Sequence, residues 1–103
     1  MNKATTIEMV LFKIKEGITT KFAQKELIKV NEFLAEQEGF ISRETALSDD
    51  EQFLDIVYWT DINSAKAAAN KVMQNPDAMK VFSIIDQKSQ IFKHFEIFND
   101  TVQ

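Results

Sequence analysis

The sequence has no cysteine, one histidine, one proline and two glycines among its 103 residues. The lack of cysteine excludes disulfides, thiolate nucleophiles and cysteine-ligated zinc. The single histidine argues against a histidine-rich metal site, and a formal net charge of −4 argues against a basic surface for nucleic acid. No metal, flavin or nucleotide motif is present, so we expect no metal site and no cofactor.

Long hydrophobic runs are also missing. The apolar stretch that begins at Ile7 is interrupted by Glu8, and it is too short for a secretory signal or a membrane span. We therefore expect a cytoplasmic protein without membrane or nucleic-acid partners. Because the chain has the length of one ordinary domain and shows no linker, we expect residues 1–103 to form a single domain.

The residues that are present describe a globular chain, with 45% apolar residues, 27% charged residues and nine phenylalanines. Alternating apolar patterns and turn residues predict four strands, at 6–14, 40–47, 52–59 and 89–98. Helical spacing and capping residues predict three helices, one from Thr19 or Thr20 to about Gln37, one from Asp61 or Asn63 to about Gln74, and a short one from Pro76 to about Ile85.

This order predicts an α+β fold of the ferredoxin-like βαββαβ type. Its four-stranded antiparallel sheet carries the helices on one face. The first and third strands are apolar on both faces, with Ile7 and Leu11 opposite Val10 and Phe12 in the first strand. The helices cover only one of these faces, so we expect a homodimer that packs through the other. The alternative is a monomer with a partly apolar sheet surface.

Four short segments are distinctive, namely 8–13 (Glu-Met-Val-Leu-Phe-Lys), Gly17, 38–40 (Glu-Gly-Phe) and 54–59 (Leu-Asp-Ile-Val-Tyr-Trp). With these segments the chain resembles, over nearly its whole length, the dimeric α/β-barrel proteins of the antibiotic biosynthesis monooxygenase-like superfamily. The resemblance implies a dimer with a pocket between each sheet and its helices. Members include cofactor-free oxygenases, heme-degrading monooxygenases, cyclases and isomerases, so the resemblance implies a fold more strongly than a reaction.

The chain departs from two branches of this superfamily. Heme-degrading members carry an Asn in the first strand, a Trp in the second helix and a His after it, where this chain has Glu8, an alanine run around Ala68, and no His in 77–82. Cyclase-like members often begin the first strand with His, and they can use a His after the proline that corresponds to Pro76. Glu8 and Asp77 stand at these two positions instead, which argues against a histidine-based cyclase mechanism. The three departures from the heme-degrading members argue against heme chemistry.

The predicted topology places Glu8 near residues 58–59 and near His94, Glu96 or Phe98. A carboxyl within an apolar strand has a raised pKa if it is buried, so Glu8 is a candidate catalytic acid or base. His94 is the second catalytic candidate because its intrinsic pKa lies near neutrality. The alternatives are that Glu8 meets solvent at a fraying strand end and that His94 packs in the dimer interface.

We expect a substrate pocket lined by Phe12, Asp55, Tyr58, Trp59, Met79 and Phe82. Asp55 has an alternative role as the buried partner of Arg43, and Trp59 has one as a core anchor. The sequence therefore suggests a cofactor-independent monooxygenase or related enzyme that acts on a small apolar or aromatic compound. The alternative is a non-catalytic, ligand-binding or stress-related dimeric module, and the sequence does not decide between them.

Overall fold

The computed structural model describes residues 3–101. The strands of this region are β1 (Thr6–Ile14), β2 (Phe40–Leu47), β3 (Phe53–Trp59) and β4 (Ile85–Glu96). Its helices are α1 (Thr20–Ile28), α2 (Val30–Ala35), α3 (Ile62–Met73) and α4 (Pro76–Phe82). None of these helices is long and apolar enough to cross a membrane.

The four strands form one antiparallel sheet in the order β2-β3-β1-β4. Alternate residues of β3 are buried, beginning with Phe53 and ending with Trp59, and they pack with the helices in one core. Phe12 of β1 stacks on Phe53 of β3 in this core, with 5.5 Å between the ring centroids. The predicted ferredoxin-like α+β fold is thus confirmed.

Side-chain caps begin three of the helices where the sequence predicts them. The side chains of Thr19, Asp61 and Asn75 accept hydrogen bonds from backbone N–H groups in the first turns of α1, α3 and α4. Such caps satisfy donors that have no partner within the helix. The predicted single helix up to Gln37 is wrong, because a tight turn at Lys29, whose N–H donates to Glu26, divides it into α1 and α2.

The last strand also differs from the prediction, since it begins at Ile85 rather than Ser89 and ends at Glu96 rather than Phe98. The reason for the earlier start is a bulge. Leu11 of β1 faces Ile91, but Lys13 faces Asp86, so five residues of β4 span two residues of β1. We refer to residues 87–90 as the β4 bulge.

Gly39 closes the turn between α2 and β2 with a φ of +83°. A side chain there would collide with Ser64 and Thr60, while the Gly39 carbonyl accepts the N–H of Thr60 at 2.8 Å. The turn therefore presses directly against the start of α3, which only glycine permits. This contact fixes the end of β3, where Trp59 lies.

The face of the sheet away from the helices is mostly apolar, although Lys93 of β4 faces Met9 there and Glu44 of β2 faces Ile56. We call it the open face, and its apolar residues are Ile7, Met9, Leu11, Leu54, Ile56, Tyr58, Ile91 and Phe95. Ile91 and Phe95 are 46% and 44% exposed, and the others are half-buried within the single chain. The prediction that β1 and β3 are apolar on both faces agrees with this arrangement.

Candidate functional site

A cavity of about 450 Å³ lies between the helix-covered face of the sheet and helices α2, α3 and α4. We call it the sheet–helix cavity. Val10 and Phe12 of β1 and Val57 of β3 supply an apolar floor, and Ala68 and Ala69 of α3 supply a wall of small side chains. Its volume and lining are typical of sites that bind small organic molecules.

Glu8 and His94 meet at one end of this cavity. They face each other across β1 and β4, and the His94 Nε2 lies 2.9 Å from the Glu8 Oε2. Their side chains are only 12% and 20% exposed. Because a carboxyl and an imidazole can each carry the proton between them, the pair forms a short proton-transfer unit.

Burial is the largest influence on Glu8, and it raises the pKa of this carboxyl above its ordinary value. The hydrogen bond and the charge of His94 favour the carboxylate and oppose this rise, whereas the nearby charge of Asp55 adds to it. Phe92 packs edge-to-face against the imidazole of His94, with 5.1 Å between the ring centroids.

Trp59 combines a packing role with an unused hydrogen-bond donor. Its side chain is fully buried, and its ring lies edge-to-face against Phe40 at 5.9 Å. The indole Nε1 makes no hydrogen bond of ordinary geometry within residues 3–101, although it lies near enough to Glu8 to favour the carboxylate weakly. A buried N–H without a partner beside a cavity is suited to a ligand oxygen.

The expected pair of Arg43 and Asp55 is present in the cavity wall. The Arg43 Nε and Nη2 donate to the two Asp55 carboxylate oxygens at 2.9 and 2.7 Å. The Nη1 donates to the Leu27 carbonyl and to Asn31 Oδ1, both at 2.8 Å. This network joins β2, β3, α1 and α2. Removing one partner of such a buried pair costs about 3–5 kcal/mol. Asp55 therefore has a structural task whatever the cavity binds.

Most of the residues predicted for the pocket lie in the cavity wall, namely Glu8, Phe12, Asp55, Trp59, Met79 and Phe82. His94 adjoins the cavity through Glu8. Met79 is 43% exposed rather than buried, since α4 turns Ala78 and Val81 into the core instead.

The prediction that Tyr58 lines the pocket is wrong. Successive residues of a strand point to opposite faces, so Tyr58 lies on the open face while Val57 and Trp59 face the helices. Its hydroxyl is 3.4 Å from Glu44 of β2. Burial, followed by the charge of Glu44, raises the pKa of Tyr58 above its ordinary value.

The sequence interpretation missed several residues of the cavity wall, including Gln87 and Gln90 of the β4 bulge and Met73 of α3. A polar run at 86–90 inside an otherwise alternating strand was the available signal for the bulge. Within residues 3–101, no group of three or more histidine and acidic side chains is arranged to hold a metal ion.

No protein-family model matches the sequence, and no curated protein matches it. Solved structures do match the fold. A structure of SnoaB, a cofactor-independent oxygenase from Streptomyces nogalater, superposes with a TM-score of 0.79 at 14% identity, covering 98% of this chain and 100% of that chain. The ActVA-Orf6 monooxygenase of Streptomyces coelicolor, in complex with nanaomycin D, gives 0.73 at 11% identity, with 97% and 93% covered.

A dimeric ferredoxin-like protein from an uncultured marine organism also superposes, with a TM-score of 0.75 at 6% identity and with 98% of this chain and 94% of that chain covered. The fold is therefore the ferredoxin-like fold that these solved structures share. At these identities the likeness establishes the fold and leaves the reaction to be argued from the site.

Proposed function

We propose that this protein is an enzyme that transforms a small apolar or aromatic compound in the sheet–helix cavity, with Glu8 and His94 as its catalytic residues. The observation that carries the proposal is the hydrogen bond between these two side chains at the wall of an apolar cavity. A carboxyl whose pKa is raised by burial is a stronger base than an exposed one, which suits it to remove a proton from a substrate.

The cavity lining supports an apolar substrate that carries at least one oxygen. Val10, Phe12, Val57 and the two alanines of α3 offer only carbon to a ligand, and the Arg43–Asp55 pair is already hydrogen-bonded within the wall. The Trp59 N–H offers one free donor close to Glu8. A substrate carbonyl that accepts this N–H would place its neighbouring C–H bond near the Glu8 carboxylate. The same hydrogen bond would stabilise the enolate oxygen that forms when the proton leaves.

Two solved neighbours, a cofactor-independent oxygenase and a monooxygenase, support oxygenation as the reaction class, and the first of them supports oxygenation without a cofactor. Proton removal by Glu8 gives an electron-rich carbanion, which can pass electrons directly to O2. Overall, a CH2 group and one O2 yield a carbonyl group and one water. His94 would accept the proton from Glu8 and return it to the departing oxygen. Exclusion of water by the apolar walls would protect the intermediate.

The test is oxygen uptake with aromatic ketones that have acidic C–H bonds, such as 2-tetralone and 2-indanone. We expect turnover by the wild-type protein, and a loss of about 100-fold or more in kcat for Glu8→Gln. Glu44→Gln, which changes a carboxyl beside the open face, should retain the activity. Equal oxygen uptake by wild type and Glu8→Gln would refute the catalytic role of Glu8.

A non-catalytic ligand-binding module is the second candidate. It is favoured by the fact that the hydrogen bond gives one polar atom of Glu8 and one of His94 a partner, so the pairing has a structural value without any reaction. The two candidates separate in the same assay. A module of this kind would bind the ketones, measured by quenching of Trp59 fluorescence, but would consume no oxygen.

We also propose that the described residues act as one domain that forms a homodimer through the open face. The proposal is supported by the apolar character of this face and by the dimeric ferredoxin-like protein among the solved neighbours. Two sheets packed in this way would bury the open face of each subunit and leave both sheet–helix cavities accessible.

A further inference from the structure

The seam between β1 and β4 changes character along the length of the sheet–helix cavity. At one end Glu8 faces His94, and next along the cavity Val10 faces Phe92, an apolar pair. Beyond that pair lies the β4 bulge, opposite Phe12. The seam is therefore polar, then apolar, then polar again. Phe12 lies four positions after Glu8 in β1, so the two polar ends of the β1–β4 pair are about 13 Å apart.

The β4 bulge is held in shape by residues that do not line the cavity. Ser89 Oγ accepts the N–H of Lys13 at 2.8 Å and donates to the Asp86 carbonyl at 2.6 Å. The Lys88 N–H donates to Asp86 Oδ1 at 3.1 Å. Because these bonds fix the backbone, the bulge geometry does not depend on its two glutamine side chains.

Those two side chains, Gln87 and Gln90, contribute to the cavity wall. Gln87 is exposed and Gln90 is half-buried, and around them the cavity is apolar, with Phe82 and Ile85 nearby. A primary amide offers donors and an acceptor without a net charge, so it recognises neutral hydroxyl, carbonyl or amide groups. Bulges commonly turn side chains toward binding sites in this way.

We propose that the β4 bulge forms a second polar subsite, at which Gln87 and Gln90 bind a neutral hydroxyl or carbonyl group of the ligand. The ligand is then an apolar molecule with an oxygen at each end, one at Glu8 and His94 and the other at the bulge. This inference rests on the proposed function of the cavity as a ligand site. It makes the two glutamines specificity-determining residues rather than catalytic ones.

The test compares two fluorescent probes of nearly equal size, para,para′-dihydroxystilbene and para-hydroxystilbene. We expect the wild-type protein to bind the probe with two hydroxyls about tenfold more tightly, as one additional hydrogen bond in a cavity predicts. In the double variant Gln87→Met and Gln90→Met this preference should fall to about one. Affinity for the probe with one hydroxyl should stay within about twofold of the wild-type value.

Two control variants connect the result to the bulge and to the cavity. Lys88→Met changes a bulge residue outside the cavity wall, and it should keep the tenfold preference. Ala68→Trp fills the cavity and should abolish binding of both probes. Thermal unfolding of each variant shows whether it is folded.

The subsite is refuted if the wild-type protein binds the two probes equally, or if the glutamine variant keeps the preference. Failure of the proposed enzyme gives a different pattern, since the preference would persist while no ketone supports oxygen uptake. If neither probe binds the wild-type protein, the cavity does not accept such ligands, and the proposed subsite is refuted as well.

Discussion

The Glu8 carboxyl is held between burial, which favours its protonated form, and His94, which favours its charged form. Burial has the larger effect, so the folded protein binds this proton more tightly than the unfolded chain does. Between the ordinary pKa of a glutamate and the raised pKa of Glu8, the native state therefore holds more protons. Over this range the free energy of unfolding must fall as the pH rises.

This sign gives a prediction for Glu8→Gln, which removes the titrating group but keeps a side chain that can pair with His94. As the pH rises from the ordinary pKa of a glutamate through the raised pKa of Glu8, wild-type protein should lose stability relative to the variant. Urea unfolding at several pH values measures the difference. Glu16→Gln, at an exposed position, is the matched control. A difference between wild type and Glu8→Gln that is independent of pH would contradict the prediction.

At the level of single residues, the sequence predicts positions better than orientations. The meeting of Glu8 and His94 follows from the order of the strands and needs no motif. Tyr58 was misplaced although the alternation along β3 already assigned it to the open face. The unpartnered Nε1 of Trp59 could not be predicted, because it depends on how every neighbouring side chain packs.

At the level of the elements, the two glycines test how closely the turns approach the rest of the fold. Both have a positive φ, +88° at Gly17 and +83° at Gly39, but a side chain at Gly17 would enter open space. Gly17→Ala should therefore cost only the conformational strain, about 1–2 kcal/mol. Gly39→Ala should cost clearly more, because Ser64 and Thr60 must also move.

Urea unfolding of the two alanine variants measures both costs under identical conditions. The comparison isolates steric contact, since the substitution and the sign of φ are the same in each. Equal destabilisation of the two variants would show that the turn at Gly39 can relax away from α3.

The bounds of the helices and strands show which structural details a local sequence pattern does not predict. Ala23, Leu27, Val30 and Leu34 follow the spacing of one face of a single helix, and all four are buried. The break at Lys29 leaves this spacing intact, so the pattern contains no sign of it. The β4 bulge is set by pairing with the distant residues Leu11 and Lys13, so the polar run at 86–90 indicates where it lies but not how β4 pairs on either side of it.

At the level of the whole molecule, the open face predicts the state of association. We expect wild-type protein to sediment as a dimer, at about twice the chain mass of 11.9 kDa, at micromolar concentration. Ile56→Asp places a charge at the centre of the open face and should yield monomers. Lys66→Asp introduces the same side chain on an exposed position of α3 and should leave the dimer intact.

A wild-type mass of 11.9 kDa at micromolar concentration would refute the dimer. A dimer that survives Ile56→Asp would place the interface elsewhere on the molecule. Both outcomes are independent of the cavity, because the open face and the sheet–helix cavity lie on opposite sides of the sheet.

The central position of β1 has a consequence for how the protein is made. β1 lies between β3 and β4, and Glu8 pairs with a histidine 86 residues further along the chain. In a growing chain this strand cannot complete its ladder until residues 85–96 have been made. Until then its two apolar faces and its unpaired backbone are open to other chains. β1 therefore stays incompletely paired until most of the described residues have been made.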